Sequence, residues 1–323
     1  MMVNQNINPS HVEYSPDIQG VLIYQGYGNA LKMVGKESLD LLQRISTNNL
    51  LDLEIRSSRY TILTTEKGRV VDLVLVHRLE EESILLLTSQ GQSARILSWI
   101  SKFIIMEDIS INDVSPDVSA YMLLVLKGNS SCNEMLKSRA PAEPILQFHD
   151  PLWNSLDVWQ VAEDGRDNQD SSSYLGRYRR IGTEHFEELR IYEGVPAWGK
   201  ELSEQFNPLE AGLSSCISFA KGCYVGQEVI ARIDTYKKLQ KSLCGFWVES
   251  PKNISISRPQ EILLGTTVVG LMTSLQWSDR HEKCVALGYL DTEIQRTDFE
   301  LRSDNGLMCN VHRRSLPRKG DEA

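Results

Sequence analysis

Short strands joined by tight polar turns are the feature that most constrains how this chain can fold. β-rich runs at Tyr60–Thr64, Val70–Val76 and Ile84–Thr88 follow one another along the chain. The polar turns Glu66-Lys67-Gly68 and Glu80-Glu81-Glu82 separate them. Turns this short join antiparallel neighbours, whereas parallel neighbours need a long crossover. The sequence therefore predicts an α+β fold with antiparallel pairing and not a doubly wound sheet.

Three segments have the apolar spacing of amphipathic helices. They are Lys36–Asn49, Ala94–Ile105 and Thr183–Glu193. Gly194 follows the third segment directly, in the position where glycine commonly ends a helix.

After Lys241 the chain changes to short strands separated by turns. Five are predicted, at 243–248, 261–264, 267–273, 285–290 and near 311, a spacing typical of a small antiparallel barrel. We place a domain boundary near residue 241, so that 1–240 forms two α+β subdomains and 241–323 forms the barrel. The almost wholly polar segment 163–173 is predicted to be an exposed connection.

Composition excludes several classes of protein. A formal charge of −9 argues against a protein that holds nucleic acid through its phosphates. No apolar run approaches the ~20 residues that cross a bilayer. The first residues resemble neither a secretory signal nor a transit peptide, so we expect a cytoplasmic protein. The six cysteines form no CxxC pair and no Cys/His cluster, so no metal site is expected.

The segment Lys221-Gly222-Cys223-Tyr224-Val225-Gly226-Gln227-Glu228 carries the clearest chemical signal. Cys223 lies close to a lysine and before a predicted helix, and both features favour the thiolate. Cys223 is therefore the one cysteine predicted to be reactive. The alternative is a buried cysteine in a tight turn, since no histidine accompanies it.

This segment resembles the K-G-C-Y-x-G-Q-E signature of the YgfZ/Iba57 family of iron–sulfur maturation proteins. Lys67-Gly68-Arg69 resembles the K-G-R hairpin of that family, and Asn207-Pro208-Leu209-Glu210 resembles its P-x-E segment. The resemblance extends over roughly residues 20–310 in order. The family is similar in fold to the glycine-cleavage T-protein, an aminomethyltransferase that uses tetrahydrofolate. The resemblance thus implies three subdomains around a folate channel, the last being the small barrel.

The resemblance also implies site residues. In the T-protein an acid after the glycine turn lies near the reacting folate nitrogen, and Asp72 matches that position best. The predicted catalytic residues are Cys223 and Lys221. The predicted cofactor-binding residues, with tetrahydrofolate or a one-carbon derivative as ligand, are Asp72, Asn48, Tyr224, Gln227, Glu228 and Arg232. Three of these have plainer alternatives: Tyr224 as a core aromatic, Arg232 as a solvated helix face and Glu228 as a first-turn helix charge.

The expected function is that of a tetrahydrofolate-binding accessory protein for iron–sulfur cluster assembly or repair, including in tRNA-modifying enzymes. The expected partners are iron–sulfur assembly or client proteins, and we expect a monomer. The T-protein usually has a second acid where this chain has Leu73, and an acid where it has Tyr192, which counts against aminomethyl transfer. A folate-dependent transferase or demethylase and a folate-free docking scaffold remain the alternatives.

Overall fold

The computed structural model describes residues 21–26, 28–126, 145–164, 178–252 and 254–317, and the sixteen strands found there form three sheets. Two sheets have five strands each, and the third is a closed barrel. This arrangement confirms the predicted α+β class and the predicted barrel.

The first sheet is antiparallel, with strand order β3-β4-β5-β2-β6. Its strands are β2 (Asn29–Val34), β3 (Ser58–Thr64), β4 (Val70–Glu80), β5 (Ser83–Thr88) and β6 (Ser110–Asp113). Helices α1 (Ser38–Ile45) and α2 (Ser93–Ser101) cover one face, where Leu41, Leu42 and Ile96 join its apolar core. Both helices are shorter than predicted. Helix α1 ends early because the residues after Ile45 leave the helix and Ser46 bridges to β3.

The second sheet has strand order β10-β1-β7-β9-β8, and only its β1–β10 pair is parallel. Its strands are β1 (Val21–Gln25), β7 (Val118–Leu126), β8 (Leu146–Asp150), β9 (Leu156–Asp164) and β10 (Arg179–Arg180). Glu163 and Asp164 end β9, which corrects the prediction of a connection there. The rest of the predicted connection, residues 165–173, lies outside the described residues.

Helix α3 (Thr183–Glu193) has the predicted bounds and ends at Gly194, whose φ of 82° is left-handed. Helix α4 (Gln227–Tyr236) begins inside the segment 221–228, which we call the cysteine segment, and leads to the barrel. No helix among the described residues is both long and apolar enough to cross a membrane.

The barrel closes in the order β11-β14-β13-β12-β15-β16. Its strands are β11 (Lys241–Glu249), β12 (Gln260–Leu264), β13 (Thr267–Ser278), β14 (Lys283–Asp291), β15 (Asp298–Arg302) and β16 (Met308–Arg314). The prediction of five strands was wrong by one, since β15 was missed. Only Phe299 and Leu301 are buried in β15, and its other three residues are charged and exposed. Two apolar residues give too weak a pattern to predict a strand.

An apolar cluster joins the first two sheets and positions the candidate site. Tyr60, Leu73 and Leu87 from the first sheet pack with Leu146 and Ala162 from the second. The same cluster includes residues of the cysteine segment and of α4, so the four parts meet at one place.

Candidate functional site

A cavity of about 270 Å³ lies where the first sheet, the second sheet and α3 meet. Leu73, Leu75 and Leu87 form its apolar side. The other walls are aromatic and come from separate parts of the chain: Tyr24, Tyr60, Trp153, Phe186 and Trp198. We call this space the aromatic cavity. Mostly apolar walls with a few polar groups are typical of small-molecule sites.

The aromatic walls are packed against one another. The rings of Tyr24 and Phe186 stack with centroids 3.9 Å apart and planes 4° apart. Trp153 packs at an angle against Phe186, with centroids 5.9 Å apart. On the far side, the guanidinium of Arg95 lies 4.0 Å from the ring centroid of Trp198. These contacts hold the rings in fixed orientations, against which a flat ligand can stack.

Three charged side chains also line the aromatic cavity. Arg190, on α3, donates to both carboxylate oxygens of Glu187, at 3.1 and 2.7 Å, and Lys200 bonds the same carboxylate. Burial acts to raise the pKa of Glu187, but the bonds and charges of Arg190 and Lys200 outweigh it and lower that pKa to about 2. Glu187 is therefore a carboxylate at neutral pH, and its charge is already balanced.

Two buried polar atoms in the cavity walls lack a hydrogen-bond partner within the described residues. They are Nε1 of Trp153 and Oε1 of Gln160, on residues 2% and 1% exposed. Gln160 is held from its other end, since its Nε2 donates to Asp150 at 2.8 Å and also contacts the Tyr60 hydroxyl. Two residues that line the cavity thus carry one unpartnered donor and one unpartnered acceptor, in addition to the charged groups of Glu187, Arg190 and Lys200.

Lys221 has a structural role in this geometry. Its ammonium donates to the backbone carbonyls of Gln43, Ser46 and Asn48 at 2.6, 2.7 and 2.8 Å. These carbonyls lie at and just beyond the end of α1, where helical carbonyls have no partner within the helix. Burial lowers the pKa of Lys221 to about 8. Lys221 was predicted to be catalytic, but its ammonium already uses its three N–H donors to bond these carbonyls.

The rest of the cysteine segment divides between core and surface. Tyr224 is 8% exposed and packs in the apolar cluster behind the aromatic cavity, as its plainer alternative proposed. Cys223 is exposed, which excludes the alternative of a buried cysteine. Helix α4 begins only at Gln227, four residues after Cys223. The thiol therefore lies outside the first turn of that helix.

Asp72 does not line the aromatic cavity. It is fully buried, and it accepts hydrogen bonds from the backbone and hydroxyl of Ser89 at 3.1 and 2.6 Å. Neighbouring strand residues point to opposite faces, so Leu73 faces the cavity instead. Burial raises the pKa of Asp72 to about 6, although the bonds from Ser89 lower it.

The other predicted ligand contacts also lie elsewhere. The Asn48 side chain donates to the backbone carbonyl of Tyr60 at 2.8 Å. Gln227 and Glu228 are in the first turn of α4, and Glu228 is exposed there. Arg232 lines a second cavity, described below. None of the eight predicted site residues lines the aromatic cavity, and their part in a folate site stays a prediction.

The acids near the end of α3 likewise face away from the cavity. Glu193 accepts from the backbone amides of Asn154 and Ser155 at 2.9 and 2.8 Å. Tyr192 packs against Trp247 of the barrel, with ring centroids 6.2 Å apart. Glu187, which sequence reasoning missed, is the acid of α3 that lines the cavity. No group of three or more potential metal ligands occurs in the part of the chain that the structure describes.

Comparison with known proteins places this geometry in context. The GCVT N-terminal domain matches residues 26–142. An aminomethyltransferase of Symbiobacterium thermophilum is 27% identical, over 79% of this chain and 74% of its own length. A chloroplastic Arabidopsis thaliana protein that is a transferase by name is 25% identical over 84% of this chain, which spans 65% of that relative.

A solved structure gives the fold. The glycine cleavage system aminomethyltransferase T from Bartonella henselae superposes with a TM-score of 0.75, at 15% identity, over 93% of this chain and 87% of that one. The chain therefore has the T-protein fold, as the resemblance implied.

Proposed function

We propose that this chain binds tetrahydrofolate, or a one-carbon derivative, in the aromatic cavity and serves as an accessory protein in iron–sulfur cluster assembly or repair. Clients that modify tRNA are included in this proposal. The observation that carries the folate part is the unpartnered donor of Trp153 and acceptor of Gln160 in an aromatic-walled cavity of a T-protein fold.

A pterin fits the residues of this cavity. It is a flat heteroaromatic ring that can stack on the aromatic walls, and its edge carries both N–H donors and acceptors, the types of group that would pair with the two unpartnered atoms. A buried polar atom without a partner costs about 1–3 kcal/mol, and a ligand that bonds it recovers that cost. Lys200, whose side chain is 40% exposed, bonds Glu187 and keeps further N–H donors that can pair with a carboxylate of the glutamate moiety at the cavity's edge.

The cavity walls argue against aminomethyl transfer. In the T-protein, which this chain resembles, an acid lies near the reacting folate nitrogen, where it can take part in proton transfer. Leu73 occupies the wall where strand alternation turns Asp72 away. The remaining cavity acid, Glu187, is neutralised by Arg190 and Lys200. The described residues that line the cavity can bind and orient a folate, and none of them is a free base for proton transfer.

The iron–sulfur part of the proposal is supported by the resemblance of the cysteine segment and by the exposure of Cys223. An exposed thiol is available to a partner protein. Since the described residues hold no metal-ligand cluster, a cluster contact through Cys223 would need thiolates from that partner. We expect Cys223→Ala to lose rescue in a deletion strain while keeping its expression; full rescue would remove the thiol from the mechanism.

The first test is anaerobic calorimetry with tetrahydrofolate. Trp153→Phe keeps a ring but removes the Nε1 donor, and we expect it to weaken binding about 5- to 10-fold. Cys223→Ser is the matched control, because Cys223 does not line the cavity, and its affinity should be unchanged. The absence of saturable binding to the folded chain would contradict the proposal and favour the docking scaffold. Turnover with an aminomethyl donor would instead favour the transferase.

A further inference from the structure

A second cavity, of about 510 Å³, lies between the β3–β4 turn, α4 and the segment that leads to the barrel. Four basic side chains line it: Lys67, Arg69, Arg232 and Lys238. One carboxylate, Glu210, accompanies them. We call this space the basic cavity. Such a concentration of positive charge is notable in a chain with a net charge of −9.

Three of the four cations are available to a ligand. Arg69 is engaged, since it donates to the Gln205 carbonyl at 2.8 Å and lies 3.6 Å from Glu210. The side chains of Lys67, Arg232 and Lys238 make no hydrogen bond or ion pair to any described residue. Lys238 does contact the ring of Tyr236, with its ammonium 5.8 Å from the ring centroid.

The single acid does not neutralise these three cations. Glu210 is 6% exposed, and its carboxylate accepts a hydrogen bond from the backbone amide of Asn207 at 3.0 Å. Its nearest cation is Arg69. Three positive charges therefore remain unpaired around one cavity, and an anionic ligand would relieve their mutual repulsion.

Two glycines fix the backbone that carries these charges. A Cβ on Gly68 would lie 3.2 Å from side-chain atoms of Val229 and Ile230, so the β3–β4 turn rests directly on α4. A Cβ on Gly226 would lie 2.5 Å from the backbone carbonyl of Thr65. The backbones that carry Lys67 and Arg232 are thereby held against each other. A site whose backbone is already ordered loses less entropy on binding.

The basic cavity also has an apolar and aromatic side. Val229, Ile233 and Tyr236 line it, and Tyr236 is 64% exposed. We propose that the basic cavity binds a small polyanion, in which two or more adjacent oxyanion groups are attached to an apolar or aromatic body. The cations bind the oxyanions, and Tyr236 stacks on the body.

This site is distinct from the aromatic cavity, because the two share no lining residue. The inference therefore does not depend on folate binding in the aromatic cavity. Clustered oxyanions occur both in nucleoside polyphosphates and in oligo-γ-glutamate chains, and the test separates these sources.

The experiment is calorimetry of the full chain with ATP, tri-γ-glutamate and inorganic phosphate as probes, at two salt concentrations. We expect saturable binding of ATP or tri-γ-glutamate, at least 10-fold tighter than that of phosphate and weaker at high salt. Lys67→Gln with Arg232→Gln should weaken the binding about 100-fold, since each removes one charged contact worth about 10-fold.

Lys237→Gln is the matched control. Lys237 directly follows the last residue of α4, its side chain is 80% exposed, and it does not line the basic cavity. It changes the net charge by one unit, and we expect less than a twofold effect. The double variant should keep its melting temperature and its tetrahydrofolate affinity.

Binding of ATP alone would identify a nucleoside polyphosphate as the ligand class, and binding of tri-γ-glutamate alone would identify a polycarboxylate. The proposal is overturned if neither probe binds the folded chain, or if Lys237→Gln weakens binding as much as the double variant does. Preference for a single-stranded RNA oligomer over both small probes would also overturn it.

Discussion

Replacement of Lys221 by methionine tests whether the lysine of the cysteine segment acts through structure. Methionine keeps much of the apolar stem and removes the ammonium, so the carbonyls of Gln43, Ser46 and Asn48 lose their donor. The loop after α1 also carries the amide of Thr47, bound to the Ile62 carbonyl at 3.0 Å, and this bond does not involve Lys221. The loss should therefore be local.

The expected magnitude follows from two opposing effects. Three hydrogen bonds at ~1 kcal/mol net each would stabilise the fold by ~3 kcal/mol. Against this, burial lowers the pKa of Lys221 to about 8, so the buried ammonium carries a desolvation cost that methionine does not. Water also reaches the half-buried side chain and can replace part of the lost bonding. We therefore expect Lys221→Met to lower the free energy of unfolding by about 1–2 kcal/mol.

Hydrogen exchange and urea unfolding measure this effect. Amides of residues 46–50 should exchange faster in Lys221→Met, while those of the barrel should not change. Cys223→Ser, at an exposed position of the same segment, should stay within ~0.5 kcal/mol of the original chain. Unchanged exchange at 46–50, together with an unchanged unfolding midpoint, would refute the capping role of Lys221.

Three further predictions concern buried groups. In the folded state the pKa of Asp72 is about 6, above its ordinary value of 3.8, so the folded state holds the proton more tightly than the unfolded state. The free energy of unfolding should therefore fall by roughly 3 kcal/mol as pH rises from 4 to 6. Asp72→Asn should remove this dependence in denaturation measured over a series of pH values. Gly226→Ala meets a left-handed φ of 82° and a backbone carbonyl at 2.5 Å, so it should cost about 2–4 kcal/mol in urea unfolding, whereas Gly222→Ala, with open space around its Cβ, should cost under ~1 kcal/mol. Arg190→Met leaves the fully buried Glu201 without its cation, 2.9 Å away, and should cost about 3–5 kcal/mol; Glu201→Gln in the same chain should recover part of the melting temperature, and no recovery would argue against this pairing.

Much of the fold could be predicted because its local patterns are strong. Polar turns mark the hairpins of the first sheet, and α3 combines regular apolar spacing with a terminal glycine, so its predicted bounds are those observed. Where pattern was weak, prediction failed: β15 alternates charged and apolar residues over only five positions. The helix predicted over Lys36–Asn49 ended early because Ser46 and Thr47 bond to β3, and such a contact between distant segments is invisible locally.

The side of β4 on which Asp72 lies could not be predicted from alternation. All residues of β4 from Val70 to His77 are buried, so neither face shows a polar pattern. The placement of Asp72 and Leu73 depends on which face α1 and α2 cover, and the sequence around the strand does not encode that choice.

The aromatic cavity escaped prediction for a related reason. Its aromatic residues come from β1, β3, α3 and two loops, and no two of them form a local motif. The signal that could have indicated it is Gln160, which stands between the apolar residues Trp159 and Val161 of β9, because a buried amide needs partners from elsewhere in the fold.

The cysteine segment was the strongest motif in the sequence, and its residues have different roles in the structure. Lys221 caps α1, Tyr224 fills the core, and Gly226 allows α4 to meet the β3–β4 turn. These roles need those residue types whatever the protein does. Cys223 has no such role, since its side chain is exposed. We therefore expect any chemical function of the segment to depend on the thiol, and loss of activity on changing Lys221 or Gly226 would not by itself distinguish chemistry from folding.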